Sequence, residues 1–241
     1  MKIGFIGNGG MSQAMAKIAT DREHEINCVV DQGDDWNFEN SDIVYEVSTP
    51  SVCVDHIKKL CEQGKDMVVV TTGWYNQLDE VKKIVEESGI KFLYSSNFSV
   101  GVNLYYRIVE EAAKLINKAD EYDVWGHEIH HKNKVDSPSG TAKTLEDILI
   151  KNIVRKTEIV EEKLDRKIED NEIHFSSTRG GVVNFAHTIG FDSPSDCIEI
   201  KHSARNRDGY ALGAIKASEW LVKKKPGFYT MDDYLAEIFN N

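Results

Sequence analysis

Four cysteines and four prolines in 241 residues leave no material for a disulfide framework or a proline-rich linker. Cys28, Cys53, Cys61 and Cys197 form no C-x-x-C pair and stand next to apolar neighbours. That spacing argues against a thiol zinc cage and for a reducing, cytoplasmic compartment. No apolar run approaches the ~18 residues that a bilayer-spanning helix needs. Met1 leads within one residue into Ile3-Gly4-Phe5-Ile6, without a basic or long apolar leader, so the expectation is a chain neither exported nor embedded. Positive charge is scarce as well. Against 40 Asp and Glu stand 29 Lys and Arg, and the resulting net charge of −11 disfavours nucleic acid and membrane surfaces as partners. If such a chain binds an anion, it must gather its cations locally, which makes any compact basic cluster informative.

What remains is the composition of an ordinary globular protein, with 41% hydrophobic residues, enough at this length for a sizeable core. Residues 1 to about 100 alternate strand-like and helical patterns. Strands are expected at Lys2–Ile6, Ile26–Val30, Ile43–Val47, Met67–Val70 and Ile90–Leu93, and helices at Met11–Thr20, Ser51–Gln63 and Gln77–Glu87. This alternation implies an α/β fold with a doubly wound, Rossmann-type parallel sheet. After Asn97 the period changes: a helix over Tyr105–Ile116, a strand over Tyr122–Ile129, a polar segment His130–Ser139, and a helix over Gly140–Lys151. The charge-dense stretch Lys151–Asn171 reads as solvated structure. Strand-like runs at Val182–Phe191 and Cys197–His202 lack intervening helices, which suggests an open mixed or antiparallel sheet in an α+β second part. A helix of small and apolar residues, Ala211–Val222, closes the pattern.

Three segments offer chemistry. Gly7-Asn8-Gly9-Gly10-Met11-Ser12 lies between a strand and a helix, where glycines let backbone N–H groups approach a pyrophosphate at the helix N-terminus. A plain strand-helix turn would read the same way, but Asp31, ending the second strand, stands where a carboxylate accepts ribose hydroxyls. The segment Gln32-Gly33-Asp34-Asp35 adds acid and no Lys or Arg, so NADH is favoured and NADPH remains possible. Thr71-Thr72-Gly73, and Ser48 of Ser48-Thr49-Pro50, follow strands at ends that could meet a nicotinamide ribose, or form ordinary turns. The third segment, Glu128 to Ala142, carries His130, His131, Lys132 and Lys134 and then Ser139-Gly140-Thr141 opening a helix, a pattern suited to a small carboxylate and to proton transfer near neutral pH. A solvated basic loop and packed strand-end histidines are the competing readings. A metal site is disfavoured, since adjacent strand residues point to opposite faces. Arg179-Gly180-Gly181, His187 and His202 could add cationic lining or form a plain hairpin.

Glu128–Ala142 closely resembles the E-x-H-H-x-x-K-x-D-x-P-S-G-T-A signature of the dihydrodipicolinate reductases, a long and specific pattern. The likeness extends through the glycine turn, Thr71-Thr72-Gly73, Ser96-Asn97-Phe98-Ser99-Val100-Gly101-Val102-Asn103, Arg179-Gly180-Gly181, Ile198–Ala204 and Gly213–Ala217. The resemblance implies a Rossmann domain of residues 1–101 and 211–241, a substrate-binding and oligomerisation domain of residues 102–210, a hinge near Asn97–Asn103, and a homotetramer. It implies reduction of a small cyclic dicarboxylate imine on the diaminopimelate and lysine pathway. Carried onto this chain, it makes His130 the acid, Lys134 the essential amine, and His131, Gly140 and Thr141 substrate contacts. Its cofactor contacts become Gly7, Asn8, Gly9, Gly10, Met11, Asp31, Ser48, Thr71, Thr72, Gly73, Ser96, Asn97 and Phe98, with no metal. The chain departs from the pattern where Gly10 replaces a common Arg, where Ser12 replaces a glycine, and where Asn184-Phe185-Ala186-His187 replaces a G-E-H block. An amino-acid dehydrogenase on a similar plan would carry Gly7, Gly9 and Asp31 but would not need His130-His131 with Lys134. A dinucleotide-binding redox sensor would need a basic DNA-binding face, which is not visible.

Overall fold

The computed structural model describes residues 1–31 and 33–239, so Gln32 of the acidic segment lies outside the described residues. In chain order the elements are β1 (Lys2–Ile6), α1 (Gly10–Asp21), β2 (Glu25–Val30), β3 (Ile43–Glu46), α2 (Pro50–Glu62), β4 (Met67–Val69), α3 (Leu78–Ser88) and β5 (Lys91–Tyr94). There follow α4 (Val100–Ile116), β6 (Asp123–His130), α5 (Gly140–Asn152), β7 (Glu158–Val160), β8 (Glu172–Arg179), β9 (Phe185–Asp192) and β10 (Cys197–Ala204). The chain ends with α6 (Asp208–Leu221), β11 (Gly227–Thr230) and α7 (Met231–Phe239). Two compact units result, Met1–Val100 with Arg207–Asn241, and Gly101–Asn206.

The first unit is built on a six-stranded parallel sheet in the order β11-β5-β4-β3-β1-β2. Its strands are apolar on both faces, as a sheet covered on both sides requires. Ile3, Phe5, Ile43, Tyr45, Val68 and Leu93 pack under α1, α6 and α7, while Ile6, Val44, Met67, Val69 and Phe92 pack under α2 and α3. The strand order reverses at β1, which has β2 on one side and β3 on the other. Ligands of such sheets bind beyond the carboxyl ends of the strands at that reversal.

The second unit is a five-stranded mixed sheet, β10-β9-β6-β8-β7, with β6 parallel to β8 and antiparallel to β9. Burial along β6 alternates, so Val124, Gly126, Glu128 and His130 share the buried face. Beneath it, Tyr105, Val109 and Ala113 of α4 and Ala142, Leu145 and Leu149 of α5 complete one core with Phe175, Ile189 and Phe191.

Several elements differ from the sequence expectation. Strand β8 has no counterpart in it, because Ser176-Ser177-Thr178-Arg179 interrupts the apolar alternation with residues whose work is polar. The run expected as a strand from Val182 begins only at Phe185, since Gly181, at φ 58°, still belongs to the preceding turn. Three further elements were not foreseen: short β7 within the charge-dense stretch, β11, which extends the parallel sheet, and α7, which covers it.

Candidate active site

In the second unit the register of three strands does the assembly. Glu128 on β6 stands opposite Ser177 on β8 and His187 on β9, and His130 stands opposite Arg179 and Phe185. Glu128 is completely buried, a position a carboxylate occupies only when its lone pairs are filled. They are. Arg179 Nη2 donates to Oε1 at 2.7 Å, the Ser177 hydroxyl at 2.9 Å and the Ser139 N–H at 3.1 Å. The Ser139 hydroxyl donates to Oε2, with His187 Nε2 at 3.1 Å from the same oxygen. Burial alone would raise the Glu128 pKa, but the bonds from His187, Ser139, Arg179 and Ser177 outweigh it and hold the carboxyl well below its usual range. Glu128, His130 and His187 bring ligand-type atoms within 4.8 Å of one another, the only such group among the described residues. Arg179, Ser177 and Ser139 already occupy both carboxylate oxygens, so a metal ion would have to displace them.

His130 is 6% exposed, and its Nε2 lies 3.3 Å from Glu128 Oε2. Burial pushes its pKa down to about 4; Glu128 opposes the shift, and His187, Arg179 and Lys134 add to it. The ring is therefore neutral at pH 7 in the free chain. After β6 the chain turns through His131, whose carbonyl accepts the Lys134 N–H at 3.1 Å, to Lys134, whose ammonium pairs with Asp136. Arg179 Nη2 also holds the Asp136 carbonyl at 2.6 Å, fixing this loop to β8. Ser139 caps α5, its hydroxyl accepting the Ala142 N–H at 3.2 Å. The N–H groups of Gly140 and Thr141, the first two of the helix, have no acceptor in the chain among the described residues. They form an anion cradle at the positive end of the helix. His202 instead stacks with Tyr105 at 5.8 Å and packs near Phe185 at 5.7 Å, an aromatic role and not a cationic one.

In the first unit, a cavity of about 560 Å³ opens at the strand-order reversal and is lined by Gly7, Asn8, Gly9, Asp31 and Ser48, together with Trp36 and His56. Gly7 has φ +96°, and a Cβ there would lie 2.2 Å from the Val47 carbonyl oxygen. Only glycine lets β1 turn this closely past β3 into α1. Gly9 is the N-cap of α1 and offers no side-chain cap, leaving the helix N-terminus open to an anion. These features fit a dinucleotide's phosphates and ribose. Gly10, Met11, Thr71, Thr72, Gly73, Ser96, Asn97 and Phe98 do not line the cavity. Met11 packs against the apolar core, and the Phe98 side chain is buried within it, so a cofactor contact from Phe98 must come from its backbone.

Glu46, fully buried at the end of β3, accepts from the hydroxyls of Ser48 and Thr71 and from Cys53, and has His56 Nδ1 at 3.0 Å. Thr71 Oγ1 also accepts the Ser48 N–H at 2.9 Å. The hydroxyl protons of Ser48 and Thr71 are thus turned inward, and Ser48 presents lone pairs to the cavity. Sequence reasoning passes over Glu46, Ser177 and Arg207, and names Glu128 and Ser139 only as members of the Glu128–Ala142 segment, with no role of their own. The available signal for Glu128 was its position two residues before His130 on a strand, which puts both on one face. Arg207 had none: its Nη1 reaches to 3.7 Å from where a Cβ of Gly10 would stand, at the opening of α1.

A parallel sheet with an open glycine turn at its reversal point, together with a second sheet carrying a buried acid-base cluster beside an anion cradle, defines a two-unit oxidoreductase that uses a pyridine nucleotide. Residues 1–98 match the family model of the dihydrodipicolinate reductase N-terminus, and residues 101–235 that of its C-terminus. The chain belongs to the dihydrodipicolinate reductase family. It is 34% identical over 244 residues to the 4-hydroxy-tetrahydrodipicolinate reductase of Christiangramia forsetii, covering 100% of both chains. To the protein of the same name from Aquifex aeolicus it is 37% identical over 197 residues, 81% of this chain and 73% of that one. The dipicolinate-bound dihydrodipicolinate reductase from Paenisporosarcina sp. TG-14 shares the fold at a TM-score of 0.75 and 19% identity, over 97% of this chain and 98% of that one. No helix among the described residues is long and apolar enough to cross a membrane.

Proposed function

We propose that this chain reduces 4-hydroxy-tetrahydrodipicolinate, a small cyclic dicarboxylate of the diaminopimelate and lysine pathway, with NADH as the favoured cofactor and NADPH as a possible one. The observation that carries the reading is the cradle at the start of α5, where the unpartnered N–H groups of Gly140 and Thr141 follow the loop that carries Lys134 and that begins directly after His130 at the end of β6. A reduced nicotinamide, when bound, supplies a hydride. Everything else falls to the chain. Gly140 and Thr141 bind a substrate carboxylate, and His131 lines the same pocket. Loss of water, the C4 hydroxyl with a proton from the adjacent ring carbon, leaves a conjugated C=C–C=N system, and Lys134 stabilises the negative charge that gathers on its ring nitrogen as hydride adds at C4. His130 supplies the proton that completes the reduction. Both cations act on a dianion, which accounts for a basic cluster in a chain of net charge −11. Purified protein should oxidise NADH only when given the condensation product of pyruvate and aspartate semialdehyde. Absence of oxidation with that product freshly generated in the cuvette would overturn the assignment.

In this reading the first unit binds the nucleotide, and the second binds substrate and self-associates as a homotetramer through its sheet, whose β10 strand is largely exposed. The cysteines, all free, suit a cytoplasmic enzyme. Gly7, Gly9 and the α1 N-terminus take the pyrophosphate, and Arg207 beside Gly10 supplies a cation at the position where the resemblance leads one to expect an Arg. Arg207→Ala should weaken NADH and NADPH alike, by roughly tenfold in Kd; fluorescence titration showing unchanged affinity for both would remove Arg207 from the site. Asp31 accepts the ribose hydroxyls, and with Asp34 and Asp35 it repels a 2′-phosphate. Accordingly, Asp31→Ala should raise KM for NADH by roughly tenfold or more while raising it less, or lowering it, for NADPH. Equal losses for the two cofactors would refute that role.

A further inference from the structure

We propose that Glu128 is the positioning residue of the substrate cradle and the counter-ion that lets His130 hold a proton once the dicarboxylate is bound. This rests on the function proposed above and assigns work to a residue outside the proposed contact set.

The four side chains that bond Glu128 come from three separate segments: Ser177 and Arg179 from β8, His187 from β9, and Ser139 from the cap of α5. Each segment presents something to the ligand or its neighbours. Ser139 sets the start of the helix whose N–H groups form the cradle, and its own N–H is anchored on Glu128 at 3.1 Å. Arg179 bridges Glu128 to the Asp136 carbonyl and so holds the loop that carries Lys134. One buried carboxylate therefore fixes the cradle and the amine together. Removing it would leave the Arg179 guanidinium and the Ser139 N–H without their acceptor, and the cradle would lose its registration against β6.

The same carboxylate faces the proposed acid. His187 Nε2 lies 3.1 Å from Glu128 Oε2, and His130 Nε2 lies 3.3 Å from that oxygen, buried and without a hydrogen bond. The Nε2–H direction is out of line with Oε2, and a modest rotation of the imidazole would align the two and complete an ion pair. Burial, and after it the surrounding positive charges, explain why the proton is absent in the free site. Arg179 already balances Glu128, and Lys134 adds positive charge. His127 on β6, His187 on β9 and His202 on β10 contribute no negative charge. Glu146 on α5 faces Glu128 but pairs with Lys143 at 3.4 Å, and burial pushes its own pKa up. Adding a dianion reverses this balance. His130 then takes one proton from solvent, with Glu128 as its nearest anion, and passes that proton to the ring while hydride from the reduced nicotinamide supplies the electron pair.

The sign follows from the charge. A counter-ion raises the affinity of the imidazole for its proton, so the alkaline limb of kcat, where His130 in the complex loses that proton, lies higher with Glu128 than without it. Glu128→Gln keeps the shape and removes the charge. The expected result is a fall in kcat of roughly 30-fold or more, with the alkaline limb moved down by about one pH unit or more and the Kd for NADH unchanged. A Gln variant that loses activity through KM or Tm alone, with its limb where the unaltered protein has it, would show a merely structural residue and overturn the proposal. A second measurement needs neither a variant nor turnover: calorimetric titration of the unaltered protein with dipicolinate near neutral pH, in buffers of different ionisation enthalpy. Uptake of about one proton per dianion bound supports the proposal, and binding without uptake overturns it. Failure of the functional reading is a separate result, seen as no NADH oxidation by the unaltered protein.

Discussion

Replacing His130 or Lys134 with Ala lowers turnover by about 10²-fold or more and leaves the Kd for NADH close to that of the unaltered protein. Both side chains lie in the second unit, whereas the glycine turn and Asp31 lie in the first, so the two functions should separate cleanly. The losses differ in kind. His130 is buried beside Glu128, and its removal would take away the proposed proton donor, so kcat is expected to fall with little change in KM. Lys134 is 27% exposed and pairs with Asp136 at the rim; in the proposed role it meets the charged substrate in both ground and transition states, so its removal is expected to raise KM as well as lower kcat. Steady-state kinetics at saturating NADH resolves the two patterns. Turnover unaltered in both variants would exclude them from the chemistry.

Gly7→Ala is expected to destabilise the chain by ~3 kcal/mol and to abolish measurable NADH binding. The backbone at Gly7 has φ +96°, and an added Cβ would stand 2.2 Å from the Val47 carbonyl oxygen, which belongs to backbone and cannot swing aside. Relief requires moving the β1–α1 turn away from the end of β3, which widens the place where the phosphates would lie. Thermal unfolding should report a Tm lower by roughly 6–12 °C, and fluorescence titration should report the missing nucleotide site. A variant with normal Tm and normal NADH affinity would contradict this account of the turn. Gly9 is a useful contrast, since a Cβ there meets nothing within 4 Å; Gly9→Ala should spare stability and affect only nucleotide affinity.

How much of this was legible in the sequence depended on whether the determining contact was local. The alternating strands and helices of residues 1 to 100 were readable because parallel strands buried on both faces are nearly continuous apolar runs. The glycine turn and the His130–Thr141 segment were readable because their chemistry is consecutive in the chain. Strand β8 was not, since the residues that bind Glu128 take the places of its apolar alternation. The Glu128 cluster depends on the register of β6 against β8 and β9, which joins residues 49 and 59 positions apart. Periodicity carries no information about such pairings. Glu46 stayed hidden for a related reason: a carboxylate ending an apolar strand reads as a surface residue until Ser48, Thr71, Cys53 and His56 are seen to converge on it. Conversely, the Thr71 hydroxyl, which sequence reasoning directs at the cofactor, is already engaged by Glu46 and Ser48.

The most direct test is a crystal structure of the protein grown with oxidised nicotinamide dinucleotide and dipicolinate. The account predicts one ligand carboxylate on the N–H groups of Gly140 and Thr141, with the ring in hydrogen-bond reach of Lys134 and His130. A ring bound out of contact with all four residues would contradict it.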